Sequence, residues 1–281
     1  MKNFLKLLIL SLFISATTAI AQTDTMYFHK NGVVLKKVAT NTFDSITYYP
    51  TAPSTIMDID GNTYPVVTIG TQVWMAKNLA TTRYNDGSPI PNVTDNAAWA
   101  ALNTPAYCWY NNTMPTGSTQ DYGALYNWCA VDKSRNGNKN ICPTGWHVPT
   151  AAEWTTLAIY LQNNGYNHDG TIDTDNDVAT NNKIAKALAK GTWQSSSIPG
   201  ATGNTDYPTY QNKSGFSALS GGLRNYTNGS FSGAGGISGF WSSTCYDNYS
   251  SFFFYLNYNY HNTFIFDDNF RYGLSIRCAK D

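Results

Sequence analysis

Short β-prone runs set between turn residues make up most of the readable pattern of this chain, and helical spacing stands out in only two short places. Near the start, Met26-Tyr27-Phe28-His29 and Val33-Val34-Leu35 flank Asn31-Gly32. Two β-prone runs around Asn-Gly predict a hairpin. Residues 43–48 predict a third short strand, and three such strands make a marginal β-module, bounded here at residues 22–49. Pro50 and Pro53 mark a linker, assigned to residues 50–57. The main domain, residues 58–281, opens on the Asp58-Ile59-Asp60-Gly61-Asn62 turn. A strand over 64–69, a Gly70-Thr71 turn and a strand over 73–78 follow.

The clearer helix begins at Thr150. With Glu153 three residues on, it has the capping-box pattern, and Leu157 and Leu161 continue one apolar face up to Asn163-Asn164-Gly165. A second helix is predicted over 181–190 from Ile184, Ala185 and Leu188. Beyond Trp193 short strands are expected over 216–219, 240–243, 253–260 and 274–278. Helices followed by short strands define an α+β fold.

Residues 246–272 consist almost entirely of Tyr, Phe, Asn, Asp, Ser, Thr and His, with no Lys, Glu, Gln, Met or Trp. Rigid aromatic rings beside short polar side chains are the chemistry of a recognition surface. Alternation along a 253–260 strand puts Phe254, Leu256, Tyr258 and Tyr260 on a core face and Tyr255, Asn257, Asn259 and His261 on a contact face. Tyr246, Asn248 and Tyr249 before that strand, and Asp267, Asp268 and Asn269 after it, are expected to extend the contact patch.

Composition narrows the function class. Formal net charge is zero and charged residues make up 13% of the chain, with aromatics at 15%. No basic run is present to neutralise phosphates, so nucleic acid is not expected as a partner. Lys2 and Lys6, the apolar stretch 7–14 and Ala19-Ile20-Ala21 read as a signal peptide over residues 1–21. Export leaves about 260 residues, enough for one large domain and an appendage. The expected location is therefore secreted or cell-surface, with no transmembrane segment. In that compartment disulfides are the default for the five cysteines. Cys142 and Cys278 sit in sharply punctuated segments and form the preferred bridge, contributing about 4–5 kcal/mol in the chain-entropy treatment. Cys108 with Cys129 is the second choice, and Cys245 is the odd one out.

Several ordered motifs resemble one family. They are Asp60-Gly61-Asn62 with Tyr64, Ile69-Gly70 with Gln72, Trp74-Met75 and Asn78-Leu79, Tyr122-Gly123 with Leu125-Tyr126-Asn127-Trp128, and Cys142-Pro143 with Gly145-Trp146-His147-Val148-Pro149. Gly215-Phe216-Ser217-Ala218-Leu219 with Gly221-Gly222 and Arg224, Phe240-Trp241-Ser242-Ser243-Thr244, and Gly273 with Ser275 and Arg277-Cys278 complete the set. From about Asp58 to Asp281 the chain resembles the Fibrobacter succinogenes major paralogous domain. The resemblance implies a C-type lectin-like fold of the formylglycine-generating-enzyme subclass, and exported or surface proteins of Bacteroidetes. The short N-terminal unit resembles a segment that often precedes such domains. Some members of this fold are targets of diversity-generating retroelements, which turn AAY codons into NNY. Such codons cannot encode Trp, Gln, Met, Lys or Glu, the five types absent from 246–272.

Catalytic chemistry finds little purchase. His29, His147, His168 and His261 are dispersed, without metal-ligand spacing. His147 reads as a structural hydrogen-bonding residue, Glu153 as a cap and Arg224 as an ion-pairing or carbonyl-binding arginine. Trp74, Trp109, Trp128, Trp146, Trp154, Trp193 and Trp241 read as core. The acidic turn at Asp58 lacks the closing Glu of a calcium loop, and Asp173 to Asp177 lacks both that Glu and the central Gly. No catalytic residue, cofactor or metal is assigned. The expected function is non-catalytic binding or adhesion to a surface protein or glycan. The alternatives are a relative of the formylglycine-generating enzymes, marked by reactive thiols, and a structural surface protein with no ligand site.

Overall fold

The computed structural model describes residues 25–30, 33–39, 55–174 and 182–281. The chain divides into two units, Met1–Thr51 and Ala52–Asp281. In the first, β1 (Thr25–Lys30) and β2 (Val33–Ala39) pair antiparallel with Lys30 opposite Val33, which makes Asn31-Gly32 a two-residue connection. The signal peptide, the Asn31-Gly32 turn itself, the third strand over 43–48, the Asp175–Asp177 part of the acidic loop and the first residue of the 181–190 helix lie outside the described residues. So does the linker up to residue 54.

The second unit is mixed α+β with mostly antiparallel sheets. Its main sheet contains β3 (Thr55–Met57), β4 (Thr63–Ile69), β5 (Gln72–Met75), β8 (Trp146–His147) and β14 (Ala279–Lys280), in the order β3-β4-β5-β14-β8. Residues 55–57, expected to be linker, are therefore sheet. The expected strand over 73–78 stops at Met75: Ala76 still donates to Pro65 of β4, but Leu79 donates away from it, to the Ile276 carbonyl. Between these strands lie α1 (Asn96–Ala100), the pair β6 (Tyr107–Cys108) and β7 (Leu125–Tyr126), and α2 (Lys133–Asn136). None of these was visible in the sequence pattern.

Helix α3 (Ala151–Asn163) forms as its capping box dictates. Thr150 accepts from the Glu153 amide at 3.2 Å, and the Glu153 carboxylate accepts from the Thr150 amide at 2.8 Å. Trp154, Leu157, Ala158 and Leu161 recur at i, i+3, i+4 and i+7 and are all buried. Against them lies a three-stranded sheet of β11 (Ile237–Cys245), β12 (Ser250–Asn257) and β13 (Phe264–Asn269). Trp154 stacks on Phe254 with ring centroids 4.7 Å apart and planes 5° from parallel. A separate hairpin of β9 (Gly221–Arg224) and β10 (Phe231–Ala234) precedes this sheet.

The expected 181–190 helix shrinks to α4 (Ala185–Leu188). Its Lys186 is buried, and the ammonium donates to the Asn204 and Asp206 carbonyls and to the Asp206 carboxylate, so this turn is held by its charge as well as by an apolar stripe. The expected strands over 216–219 and 274–278 are absent as ladders. Residues 273–279 instead touch several elements in turn. Gly273 bridges to Arg224, Leu274 to Tyr126, Ser275 to Phe240, Ile276 accepts from Leu79, Cys278 accepts from Met75, and Ala279 pairs with both Trp74 and His147.

Arg277 accounts for the first of these two absences. Its buried guanidinium donates to Asn78 Oδ1 and to the carbonyls of Met75, Phe216 and Ser217, at 2.5 to 2.9 Å. It lies 4.7 Å from the centre of the Phe216 ring. Burial pulls its pKa down to about 9, which still leaves it charged at neutral pH. Ser217 takes a left-handed backbone (φ 60°) that a continuing strand would not allow, and two adjacent carbonyls thereby reach one cation. Next to it, Cys142 and Cys278 are bonded across 136 residues with Cα atoms 6.0 Å apart, the preferred pairing. Cys108 and Cys129 are buried free thiols, and Cys245 is free and exposed.

Replacing Arg277 with Met is expected to destabilise the domain by about 3 kcal/mol or more, since each buried acceptor left unpaired costs about 1–3 kcal/mol. Urea midpoints at constant m-value check this, with Arg277→Lys recovering only part of the loss. A second expectation concerns Glu153. Burial would raise its carboxyl, but the Thr150 amide and hydroxyl and the His147 ring outweigh that and hold it below the ordinary value of 4.5. Its contribution is thus complete above pH 4.5 and lost as pH falls through the lower folded-state value. The stability gap between wild type and Glu153→Gln should narrow between pH 6 and pH 3; a constant gap would show that the charge is not involved.

Candidate functional site

Register fixes which side chains share a face of the β11–β12–β13 sheet. Phe253 lies opposite Trp241 and Phe266, Tyr255 opposite Gly239 and Phe264, and Ser251 opposite Asp268. Directly paired residues point the same way, so Ile237, Phe253, Tyr255, Asn257, Phe264, Phe266 and Asp268 occupy one face. Phe240, Phe254, Leu256 and Ile265 occupy the other and pack beneath α3. The first face is closed at one end, where Phe253 packs against buried Trp241 at 6.0 Å. Towards Tyr255 and Phe266 it opens into a cleft of about 560 Å³, whose far wall is Leu223, Tyr272 and Leu274.

The cleft is built from rings in mutual contact. Phe264 and Phe266 stack at 4.9 Å and 12°, Phe266 meets Tyr255 at 5.8 Å, and Tyr260 meets Phe264 edge-on at 5.5 Å. Tyr272 is braced from outside by Tyr226 at 4.8 Å. Burial and the Asp268 carboxylate push the Tyr272 hydroxyl up to about 12, so it stays protonated. The amide of Asn257 is used internally, donating to the Tyr255 hydroxyl at 2.8 Å and accepting from the Asn259 backbone at 2.9 Å.

The expected contact patch divides three ways. Tyr255, Asn257 and Asp268 meet in the cleft. Asn259 and His261 do not join them, because β12 ends at Asn257: its side chain caps the following turn, and alternation no longer applies past it. Asn259 instead accepts from Ser196 Oγ at 2.6 Å, and His261 packs 5.6 Å from the His168 ring. The same turn sends Tyr260, expected in the core, into the cleft. At the other end of the sheet, Tyr246 and Tyr249 are 58% and 70% exposed on the β11–β12 turn. Tyr246 contacts Phe252, and Asp267 lies opposite Phe252, so both belong to the α3 side. Asn269, opposite Ser250, shares that side, and the Asn248 carbonyl is held by Arg135.

Sequence reasoning passed over Phe253, Phe264, Phe266 and Tyr272. Period-two reading of Phe264-Ile265-Phe266 would have found two of them, had a strand been placed there. Trp99 was also missed. It is fully buried, and the Arg224 guanidinium lies 4.5 Å from its ring centre. That guanidinium donates to the carbonyls of Val93, Thr94 and Gly229 and to Asn96 Oδ1, the carbonyl-binding role expected of it.

Elsewhere, the Asp58 carboxylate is used within its own turn by the amides of Asp60 and Asn62, the Asn62 side chain and the Tyr64 hydroxyl. His147 bridges Glu153 at 2.8 Å and Asp281 at 2.7 Å. Burial pushes the Cys108 thiol up to about 12 and raises that of Cys129. Among the described residues no three His, Cys, Asp or Glu side chains gather as a metal site, and no helix is long and apolar enough to cross a membrane.

A mixed α+β domain with an open aromatic cleft on a disulfide-tied framework is the class of molecule this geometry defines. The family model of the Fibrobacter succinogenes major domain matches residues 67–280. The chain belongs to the Fibrobacter succinogenes major domain family. No curated protein and no solved structure matches it.

The two faces of β12 should respond differently to truncation. Phe254, 1% exposed, is expected to cost about 3–5 kcal/mol as Phe254→Ala. Phe266, 45% exposed, should cost no more than about 1 kcal/mol as Phe266→Ala. Denaturant unfolding of the two variants measures both.

Proposed function

We propose that this protein is an exported, non-catalytic recognition protein that binds a surface ligand through the β11–β12–β13 cleft. The observation carrying this reading is the cleft itself. The sheet invests one face in the core beneath α3, and on the other, beyond buried Phe253, the rings of Tyr255, Tyr260, Phe264 and Phe266 line an open cleft. Such preformed concave surfaces, apolar with a few placed polar groups, are the usual form of a binding site. Adhesion or ligand display follows as the biological use.

Export is supported by the signal-like residues 1–21 and by the disulfide, a bond that persists in oxidising compartments. The buried, protonated thiols of Cys108 and Cys129 support a reading without thiol chemistry. We assign the fold to the C-type lectin-like class of the formylglycine-generating-enzyme type, supported by the family motifs and the mostly antiparallel α+β build. Retroelement diversification of 246–272 belongs to the same proposal, because that segment supplies Tyr255, Asn257, Tyr260, Phe264, Phe266, Asp268 and Tyr272 to the cleft.

Purified extracellular proteins and glycans of defined identity, arrayed and probed with the full chain, test the assignment. A ligand found this way should bind Tyr255→Ala and Phe266→Ser at least tenfold more weakly, and Tyr249→Ala within twofold of wild type. Equal binding by the two cleft variants would refute the cleft as the site.

A further inference from the structure

We propose that the cleft receives a cationic side chain, arginine or lysine, presented by a protein ligand. The inference rests on the recognition reading and narrows it to one chemistry. Three observations lead there.

The first is charge. Among the residues lining the cleft, Asp268 carries the only formal charge, and none is Lys or Arg. The cation adjacent in sequence, Arg271, is turned away, its guanidinium donating to the Leu102 carbonyl and Asn103 Oδ1. One Asp268 oxygen accepts from the Asn269 backbone at 2.7 Å. No basic side chain within the cleft offsets this carboxylate, so the cleft is complementary to a positive group.

The second is the arrangement of rings. Phe253, Tyr255, Phe264 and Phe266 line one wall, Tyr260 one end and Tyr272 the other wall. Ring faces attract cations through their quadrupole, most strongly where water is displaced, and several rings around one carboxylate make a cage for an organic cation. Arginine suits it best, because a planar guanidinium can stack on a ring while donating to a carboxylate. The aliphatic stem of either side chain would lie along Leu223, Ile237 and Leu274.

The third separates a protein ligand from a sugar. A neutral saccharide is held through many polar contacts, and the amide of Asn257 already spends one N–H on the Tyr255 hydroxyl and one oxygen lone pair on the Asn259 backbone. The strongest polar feature left in the cleft is the charge of Asp268.

Backbone amide shifts of the full chain, followed by NMR, provide the test. The probes are the peptide Gly-Ser-Gly-Arg-Gly-Ser-Gly, its lysine counterpart, its citrulline counterpart (uncharged and nearly isosteric with arginine) and a panel of neutral methyl glycosides. The arginine and lysine peptides should shift residues 253–257 and 264–268 saturably, and the citrulline peptide should bind at least tenfold more weakly. Asp268→Asn should lose at least fivefold towards the arginine peptide, while Asp267→Asn, on the opposite face, should match wild type. Equal binding of citrulline and arginine, an unaffected Asp268→Asn variant, or no shift with either cationic peptide would overturn the cation assignment. If glycosides alone shift the cleft, the cation assignment falls and the recognition reading stands. If an arrayed ligand binds undiminished to Tyr255→Ala, the recognition reading itself falls.

Discussion

A single desolvated guanidinium organises the domain. Among the described residues Arg277 hydrogen-bonds to no carboxylate; its donors go to three backbone carbonyls and one side-chain amide oxygen drawn from residues 75, 78, 216 and 217. An unpaired cation in the interior is tolerable only when every donor finds an acceptor. That requirement holds two distant segments, 75–78 and 216–217, against the 273–279 segment. Met75 ends its strand where its carbonyl meets the guanidinium, and residues 216–217 give up extended backbone to supply two more. The neighbouring disulfide ties the same short segment to residue 142. Arg224 repeats the device elsewhere, gathering the carbonyls of Val93, Thr94 and Gly229 over the face of Trp99.

These devices explain which parts of the fold were legible in the sequence. Helix α3 was legible because its determinants are local: a capping box at Thr150 and Glu153, and an apolar stripe at Trp154, Leu157 and Leu161. The Cys142–Cys278 bond was legible because its cysteines sit in sharply punctuated segments. The strand over 216–219 failed as an expectation because Arg277 takes the Phe216 and Ser217 carbonyls, and the one over 274–278 because its backbone groups are shared singly among Tyr126, Gly239, Trp241, Leu79 and Met75. The helix at 181–190 shrank because the carbonyls of Lys186, Ala187 and Leu188 accept from the distant amides of Asn212, Ser214 and Ala218. Long-range capture of backbone groups leaves no periodic trace.

The candidate site shows the same division. Alternation separates Tyr255 and Asn257 from the Phe254 and Leu256 face beneath α3, and fails at the residue where a side chain replaces the ladder. Asn257 caps the turn after itself, so Asn259 and His261 point elsewhere while Tyr260 swings into the cleft. Composition located the segment, and register was needed to say which of its residues meet. The hairpin is therefore asymmetric in its tolerance to change. Residues packed on Trp154, and Phe253 against Trp241, are bound to the core, whereas the more exposed Asn257 and Phe266 can vary in chemistry without unseating the sheet.

The position of β14 between β5 and β8 carries a consequence for kinetics. Met75 and Arg277, joined in the native structure, are 202 positions apart. The strand that joins β5 to β8 thus arrives only after a very long loop has closed, and folding speed falls as contacts become less local. Until then β5 and β8 each expose an unpaired edge, the feature through which β-proteins aggregate. The slow, vulnerable step in reaching the native state is the docking of residues 273–280 into a slot held open by everything before them.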